Sequence, residues 1–329
     1  MSFNLNQVEI SIIVPCYNEE EGLDRLFERL FTVLNHLNLS YEIVCIDDGS
    51  RDRTLEGLID YHRRYSAIKV ISLSRNFGKD IALTAGLENA QGQAIIPIDA
   101  DLQDPPELIE QLIEKWRQGY DVVYGKRRSR QGESWVKRTT ANAFYRIISR
   151  ISSVPIPRDT GDFRLLDRRV VDAIKTMPER TRFMKGLFAW VGFKQTYILY
   201  DRPNRLQGTT KWNYWKLWNF ALDGITSFSL VPLKVWSYLG LFLSVLAFTY
   251  GSFLIIRTII LGIDVPGYAS LMVTMLFIGG VQLITLGILG EYLGRIYEET
   301  KQRPLYLIRE RYGFHEDFHS RELESSKLS

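Results

Sequence analysis

Ala94-Ile95-Ile96-Pro97-Ile98-Asp99-Ala100-Asp101-Leu102-Gln103-Asp104-Pro105-Pro106 is the stretch around which this chain is organised. The apolar run Ala94 to Ile98 has the length and composition of a buried strand. The two prolines then open a helical pattern through Trp116, so the acids stand where a strand has ended and a helix has not begun. In an open α/β sheet that is where ligands bind. Asp99 and Asp101 are two apart, and Gln103 follows two further on. Oxygen-bearing side chains on alternate residues can converge on one hard cation such as Mg²⁺ or Mn²⁺. A hard ion held by so few protein groups usually completes its shell with a diphosphate. The competing explanation is a plain loop in which Asp104 caps the next helix, with Pro105 at its first position. The cap is accepted here for Asp104, and cation binding for the alternating set.

Working outward, apolar runs and helical patterns alternate. Val8 to Cys16 reads as a central parallel strand ended by Pro15. A helix then begins at Tyr17-Asn18-Glu19-Glu20-Glu21, with Leu23, Leu26, Phe27, Leu30, Val33, Leu34 and Leu37 on its apolar face. Tyr41 to Ile46 is a second strand, and Ile68 to Leu73 a third, followed by a helix over Asp80 to Ala90. Tyr120 to Tyr124 is a fifth strand, after the run already quoted. This alternation predicts an α/β fold, a mostly parallel sheet covered by helices on both faces.

The totals narrow the function. In 329 residues, 41 basic and 38 acidic side chains nearly cancel, which gives no nucleic-acid footprint. Cys16 and Cys45 lie in apolar strand-like runs without metal-ligand company, and read as buried reduced thiols of a cytosolic domain. The N-terminus carries Glu9 and no basic-then-apolar pattern, so no signal peptide is expected. Three glutamates stand where a dinucleotide fold places its glycines, and carboxylates there would repel a pyrophosphate. A Gly-x-x-x-x-Gly-Lys-Ser/Thr loop is also missing from the sequence, so a P-loop is excluded.

Five strand-end motifs occur in order: Val14-Pro15-x-Tyr17-Asn18-Glu19, Asp47-Asp48-Gly49-Ser50-x-Asp52-x-Thr54, Arg75-Asn76-x-Gly78, the Asp99–Pro106 stretch, and Gly161-Asp162-Phe163-Arg164-Leu165. The set resembles the family-2 glycosyltransferases of GT-A fold, and within them the polyprenyl-phosphate branch of bactoprenol glucosyltransferases and dolichol-phosphate mannose synthases. Gly290-Glu291-Tyr292-Leu293-Gly294-Arg295-Ile296-Tyr297 is similar to the bacterial members. The likeness runs to about Leu307; residues 315 to 329 are polar, match nothing, and read as disordered.

The resemblance implies inverting transfer of a hexose from a nucleotide-sugar to polyprenyl phosphate, with UDP-glucose as the leading donor and GDP-mannose or a UDP-aminosugar as alternatives. It implies Asp101 and Gln103 as metal ligands, with Asp99 touching metal or donor. Pro15, Tyr17, Glu19 and Asp48 would grip the nucleoside. For Glu20, Glu21 and Asp52 a helix start favouring acids is sufficient explanation, and Asp47 is left open. Lys79 and Arg75 flank Gly78 at a helix start, where phosphate contact competes with a solvated basic turn. Asp162 is the group beside the attacking acceptor. It can be a general base, an orienting group or a helix cap, with Asp159 as a rival, and a lipid monophosphate with a second pKa of roughly 6 needs little proton removal. Arg127 could meet acceptor phosphate or lipid headgroups. Arg205 and Lys211 frame a glycine-containing loop that can close on an anionic acceptor, while for Lys211 a simple membrane-flanking charge competes.

Two apolar runs follow. Val235 to Ile256 is uncharged for about 22 residues and Val265 to Gly290 for about 26, each long enough to cross a bilayer. Basic residues Arg202, Arg205, Lys211, Lys216 and Lys234 precede them, and Arg295, Lys301, Arg303, Arg309 and Arg311 follow. That asymmetry puts both flanks in the cytosol, and the resemblance to the bacterial members implies a bacterial plasma membrane. Trp212, Trp215 and Trp218 suit an amphipathic helix lying in the interface. The expected organisation is a catalytic domain over 1–205, an acceptor loop and interfacial helix over 206–233, two spans over 234–292 and a cytosolic segment over 293–329. Gly279-Gly280, Gly287 and Gly290 permit close helix approach, and hence a homo-oligomer. A processive polysaccharide synthase would carry Gln-x-x-Arg-Trp, which this sequence lacks. A non-catalytic scaffold or sugar-lipid translocation partner would release no nucleoside diphosphate.

Overall fold

The computed structural model describes residues 8–128, 160–180, 182–200, 231–261 and 267–314. They fall into two compact units: the residues up to 200 together with 303–314, and the residues from 231 to 302. Arg205, Lys211 and the three tryptophans lie outside the described residues.

The first unit is built on an eight-stranded sheet in the order β7 (Gln195–Tyr200), β5 (Val122–Arg127), β6 (Thr160–Asp167), β4 (Ala94–Pro97), β1 (Ile10–Cys16), β2 (Tyr41–Asp47), β3 (Ile68–Leu73), β8 (Ile308–Tyr312). Strands β1 (Ile10–Cys16), β2 (Tyr41–Asp47), β3 (Ile68–Leu73) and β4 (Ala94–Pro97) are mutually parallel. Their near-continuous apolar runs are buried because helices cover both faces. On one face lie α1 (Leu23–His36), α2 (Thr54–Arg64) and α4 (Ile109–Arg117). Leu23, Leu26, Phe27, Leu30 and Leu34 form the buried stripe of α1, and the Phe27 ring lies 4.1 Å from that of Tyr61 on α2. Each such side chain contributes about 1.5–3 kcal/mol. The other face carries α3 (Lys79–Asn89) and α5 (Arg168–Lys175). A Cβ on Gly86 would fall 2.3 Å from Ile13 Cγ2 and 2.8 Å from Ile46 Cδ1, so α3 rests directly on β1 and β2 only because that residue has no side chain.

Pro15 does not end β1. The strand continues to Cys16, with Pro15 in register with Ile46. Ile13 O accepts from Ile98 N, so alternate residues of β1 face β4, while Cys16 O accepts from Asp48 N on the β2 side. Pro15 therefore turns its missing N–H toward β4, which has already finished opposite Ile13. The helix expected from Tyr17 is delayed: Asn18 takes φ +54°, a 3-10 turn spans Glu20–Gly22, and α1 starts at Leu23.

Strand β5 (Val122–Arg127) is two residues later at its start than expected, and three further strands complete the sheet. Strand β6 (Thr160–Asp167) is antiparallel to β4 and β5, and β7 (Gln195–Tyr200) is parallel to β5. Helix α6 (Met184–Trp190) precedes β7. Strand β8 (Ile308–Tyr312), from beyond the apolar helices, pairs antiparallel with the free side of β3. Tyr306 just before it donates its hydroxyl hydrogen to Glu88 on α3, and Ser74 N donates to Leu307 O at 2.9 Å. Part of the expected trailing segment is therefore an edge strand of the first unit's sheet.

The second unit comprises α7 (Val231–Leu261) and α8 (Tyr268–Thr300). Both are long and apolar enough to cross a membrane, over Val235–Phe253 and Val273–Thr300. Helix α8 runs unbroken past the expected end of the second span at residue 292.

Candidate active site

Parallel strands deliver their C-terminal ends to one edge of the sheet. The loops after β1, β2 and β3 are stitched together there by side-chain to backbone bonds, and the loop after β4 joins them through the ion pair of Lys79 with Asp99. Asn18 N donates to Ser50 Oγ (3.0 Å), and Arg51 N returns to Asn18 Oδ1 (2.8 Å). Glu19 N donates to Thr54 Oγ1 at 2.9 Å. Pro15, Tyr17 and Glu19 are half-buried at this edge.

Asp47 and Asp48 are both buried. Asp47 accepts from Ser50 N at 3.1 Å and from Ser72 Oγ at 3.3 Å. Asp48 turns one oxygen to Phe77 N (2.7 Å) and the other to Gly78 N (2.9 Å), clasping the loop after β3. Burial raises its pKa, and these two amides work against that rise. Gly49 makes the clasp possible. It sits at φ +65°, and a Cβ there would fall 2.5 Å from Arg75 C and 2.7 Å from Asn76 N. Arg75 stacks over the Phe77 ring at 4.1 Å.

Beyond β4 the backbone alternates between core and solvent. Ala100, Leu102 and Asp104 are buried, whereas Asp99, Asp101 and Gln103 are half-exposed, which is the alternation the sequence suggested. Leu102 holds a left-handed backbone, φ +56°. That strain costs about 1–3 kcal/mol for a bulky residue, offset by burying the leucine side chain. Asp101 Oδ1 accepts from Gln103 N at 3.1 Å. The expected helix cap by Asp104 is not how this loop is built. The cap position belongs to Pro105, and the Asp104 carboxylate accepts from Tyr200 Oη at 2.8 Å. A buried carboxylate needs such a donor more than an exposed helix end needs a cap.

Asp162 comes to this edge because β6 runs against β4. Ala94 pairs with Asp167 and Ile95 with Leu166, and extending that register past β4 brings Asp99 opposite Asp162. Lys79, the first residue of α3, bridges them: its Nζ is 2.6 Å from Asp99 Oδ1 and 2.7 Å from Asp162 Oδ2. One cation, Lys79, thus joins Asp99 and Asp162. Lys79 is half-exposed, while Asp162 keeps 14% of its side chain accessible. Burial works against the Asp162 charge, but Lys79, then Lys185, then Arg164 outweigh it and hold the carboxyl well below the usual carboxylate range. Burial likewise opposes charge on Lys79, and Asp162 and Asp99 overcome it, so the ammonium is held more firmly than usual. Arg164 donates to Gly161 O at 2.8 Å and lies 4.1 Å over the Phe188 ring.

Sequence reasoning missed Lys185. It lies on α6, which meets α3 where Thr84 Oγ1 is 3.7 Å from Met184 Sδ. Asp80 was missed as well. Burial first and then the facing charge of Asp162 push it up to about 7, against the opposing pull of Lys79 and Lys185 and with a smaller push from Asp99. A carboxyl whose folded pKa exceeds its unfolded value of about 3.9 opposes folding once ionised. Stability is therefore lost as pH rises from about 4 to 7 and stays lower above that window. Asp80→Asn should melt higher than the parent at pH 8, by about 2–4 °C for each kcal/mol recovered. The gap should narrow at pH 4.5, which thermal melts at the two pH values will measure.

Strand β5 ends at the same edge, with Arg127 in register with Tyr200. As donors, Asp99, Asp101 and Gln103 offer hard oxygens of the kind Mg²⁺ and Mn²⁺ take. Among the described residues no three His, Cys, Asp or Glu side chains gather into a closed cage. The donor set fits an open site whose other positions are filled by ligand oxygens and water.

Residues 11–175 match the family described as Glycosyl transferase family 2, and residues 231–296 match the GtrB C-terminal hairpin. The chain is 65% identical over 306 residues to an uncharacterised glycosyltransferase of Synechocystis sp., covering 93% of this chain and 96% of the relative. It is 50% identical over 303 residues to a prophage bactoprenol glucosyl transferase homologue of Escherichia coli, covering 92% and 99%. To the bactoprenol glucosyl transferase of Shigella phage SfX it is 49% identical over 305 residues, covering 92% and 100%. With both its α/β sheet and its paired apolar helices matched, the chain belongs to glycosyl transferase family 2, as a member of GT-A-type fold that carries two candidate membrane spans.

Proposed function

We propose that this glycosyltransferase moves glucose from UDP-glucose to a polyprenyl phosphate at the cytosolic face of the membrane, with inversion at the anomeric carbon. The observation that carries the proposal is the bridge from Lys79 to Asp99 and Asp162, because it gathers donor-side and acceptor-side groups at one point. The relatives named as bactoprenol glucosyl transferases support the lipid acceptor and the sugar. The two apolar helices support delivery of that acceptor from a bilayer.

An acceptor phosphate oxygen attacks the anomeric carbon, the bond from that carbon to the diphosphate breaks, and the electron pair leaves with UDP. A single displacement inverts the centre and needs no covalent enzyme intermediate. Asp99, Asp101 and Gln103 would hold Mg²⁺ or Mn²⁺, which when bound neutralises charge on the departing diphosphate. Pro15, Tyr17, Glu19 and Asp48 shape the nucleoside end, with Asp48 acting through the loop it clasps. Lys79 stands ready for a phosphate oxygen in exchange for its carboxylates. Asp162, held ionised by the cations around it, is a weak base. A lipid phosphate with a second pKa of about 6 is largely dianionic already. Asp162 therefore orients the acceptor rather than deprotonating it. Arg127, Arg205 and Lys211 are assigned to the acceptor phosphate.

The test is to incubate membranes containing the chain with polyprenyl phosphate and a panel of radiolabelled UDP-glucose, GDP-mannose and UDP-N-acetylglucosamine. Label from UDP-glucose should enter the lipid fraction with stoichiometric release of UDP. Label from another donor would overturn the sugar assignment, and no lipid label from any donor would overturn the proposal.

A further inference from the structure

The end of β7 holds a buried polar pair that neither donor binding nor acceptor binding has yet used. Tyr200 is 4% exposed and Asp104 2%. The phenol of Tyr200 reaches across the sheet edge to Asp104 Oδ1 at 2.8 Å. Asp104 immediately follows Gln103, the last of the alternating oxygen donors. The Tyr200 ring meets Phe163 edge-on, with centroids 6.3 Å apart, and Phe163 immediately follows Asp162. Gly125 on β5 leaves room for both rings: a Cβ there would lie 2.9 Å from Tyr200 Cε1 and 3.1 Å from Phe163 Cδ1. The carbonyl of Tyr200 accepts from Arg128 N at 2.9 Å, next to Arg127. One residue thus touches the loop of Asp99, Asp101 and Gln103, the strand of Asp162 and the end of the strand of Arg127. Arg205 lies five residues further along the chain.

A phenol–carboxylate pair is a poor choice for stability alone. Two apolar side chains of similar volume would fill the space without desolvating a charge. What such a pair adds is one required alignment, because the buried carboxylate cannot slide away from its donor without a large penalty. We infer that Tyr200 is a positioning residue that fixes the loop after β4 in register with the acceptor-side strands. Through Asp104 it sets the distance between the departing diphosphate and the attacking phosphate. This role rests on the proposed function for its chemistry, and on the hydrogen bond alone for its mechanics.

Tyr200→Phe removes one oxygen and keeps the ring. Losing this hydrogen bond should speed amide hydrogen exchange at Leu102 and Gln103 roughly tenfold. Exchange in β1 and β2 should not change. The kcat for transfer should fall about tenfold or more with donor KM changed less than about threefold. As a single variant with Tyr200 kept, Asp104→Asn retains an oxygen for the phenol and should leave both readouts near the parent, whereas Asp104→Ala should not. Tyr200→Phe combined with Asp104→Ala should be no worse than the poorer single variant. Parent-like exchange at Leu102 and Gln103 in Tyr200→Phe would overturn the inference, as would additive losses in the double variant. Exchange needs no substrate, so a chain that transferred no sugar would remove the proposed function and leave this inference to be decided by the exchange measurement.

Discussion

Replacing Asp101 with alanine is expected to lower kcat for sugar transfer about a thousandfold, ~4 kcal/mol in the barrier. The reason is electrostatic. As the bond to the sugar breaks, negative charge grows on the diphosphate; in the proposed function Asp101 would help hold a divalent ion whose charge would neutralise it. Asp99 and Gln103 alone would leave such an ion one carboxylate short. The fold should survive: Asp101 is half-exposed, and its bond to Gln103 N is a local turn contact worth about 1 kcal/mol. Release of UDP under saturating donor and acceptor, with a melting curve of the same preparation, measures both halves of the expectation. A fully active variant would remove the metal assignment.

The largest effect on the protein itself should come from Gly49→Ala. The added carbon would meet main-chain atoms of Arg75 and Asn76 at 2.5 to 2.9 Å, and no side-chain rotation relieves a clash with backbone. The left-handed φ of +65° is a further penalty for any residue with a Cβ. Together these should cost about 2–4 kcal/mol of stability. The loops after β2 and β3 must part, which pulls the Phe77 and Gly78 amides off Asp48 and moves the start of α3 with Lys79. A drop in melting temperature of roughly 5–10 °C is expected, together with weaker UDP binding by isothermal titration. A variant that melts and binds like the parent would show that this close approach is not needed.

The half of the sheet that could be read in the sequence was the half made of local signals. Strands β1 to β4 are short continuous apolar runs ended by turn residues, and α1 and α2 between them carry period-3.6 stripes, whereas α3 is buried over the continuous run Ala82 to Leu87. Strand β8 carries no such signal. Ile308-Arg309-Glu310-Arg311-Tyr312 exposes its three central charged residues, as an edge strand can, and its partner β3 lies more than two hundred residues earlier. The site divides in the same way. The alternation of Asp99, Asp101 and Gln103 is local and was legible. The meeting of Lys79 with Asp162 depends on β6 running antiparallel to β4, a register no local pattern specifies. Lys185 sits in Met184-Lys185-Gly186-Leu187-Phe188, which reads simply as a helix turn, so its electrostatic role comes from tertiary packing alone. Asp104 was misread because a capping pattern and a buried carboxylate look the same until Tyr200 is placed beside it.

Strand β8 is made last, after both apolar helices have been synthesised. During translation the exposed flank of β3 must therefore wait, its outward amides and carbonyls without their strand partner, until both apolar helices have been made. Closure of the sheet thus becomes one of the last events of synthesis, because the strand that covers β3 leaves the ribosome only after residues 231–300.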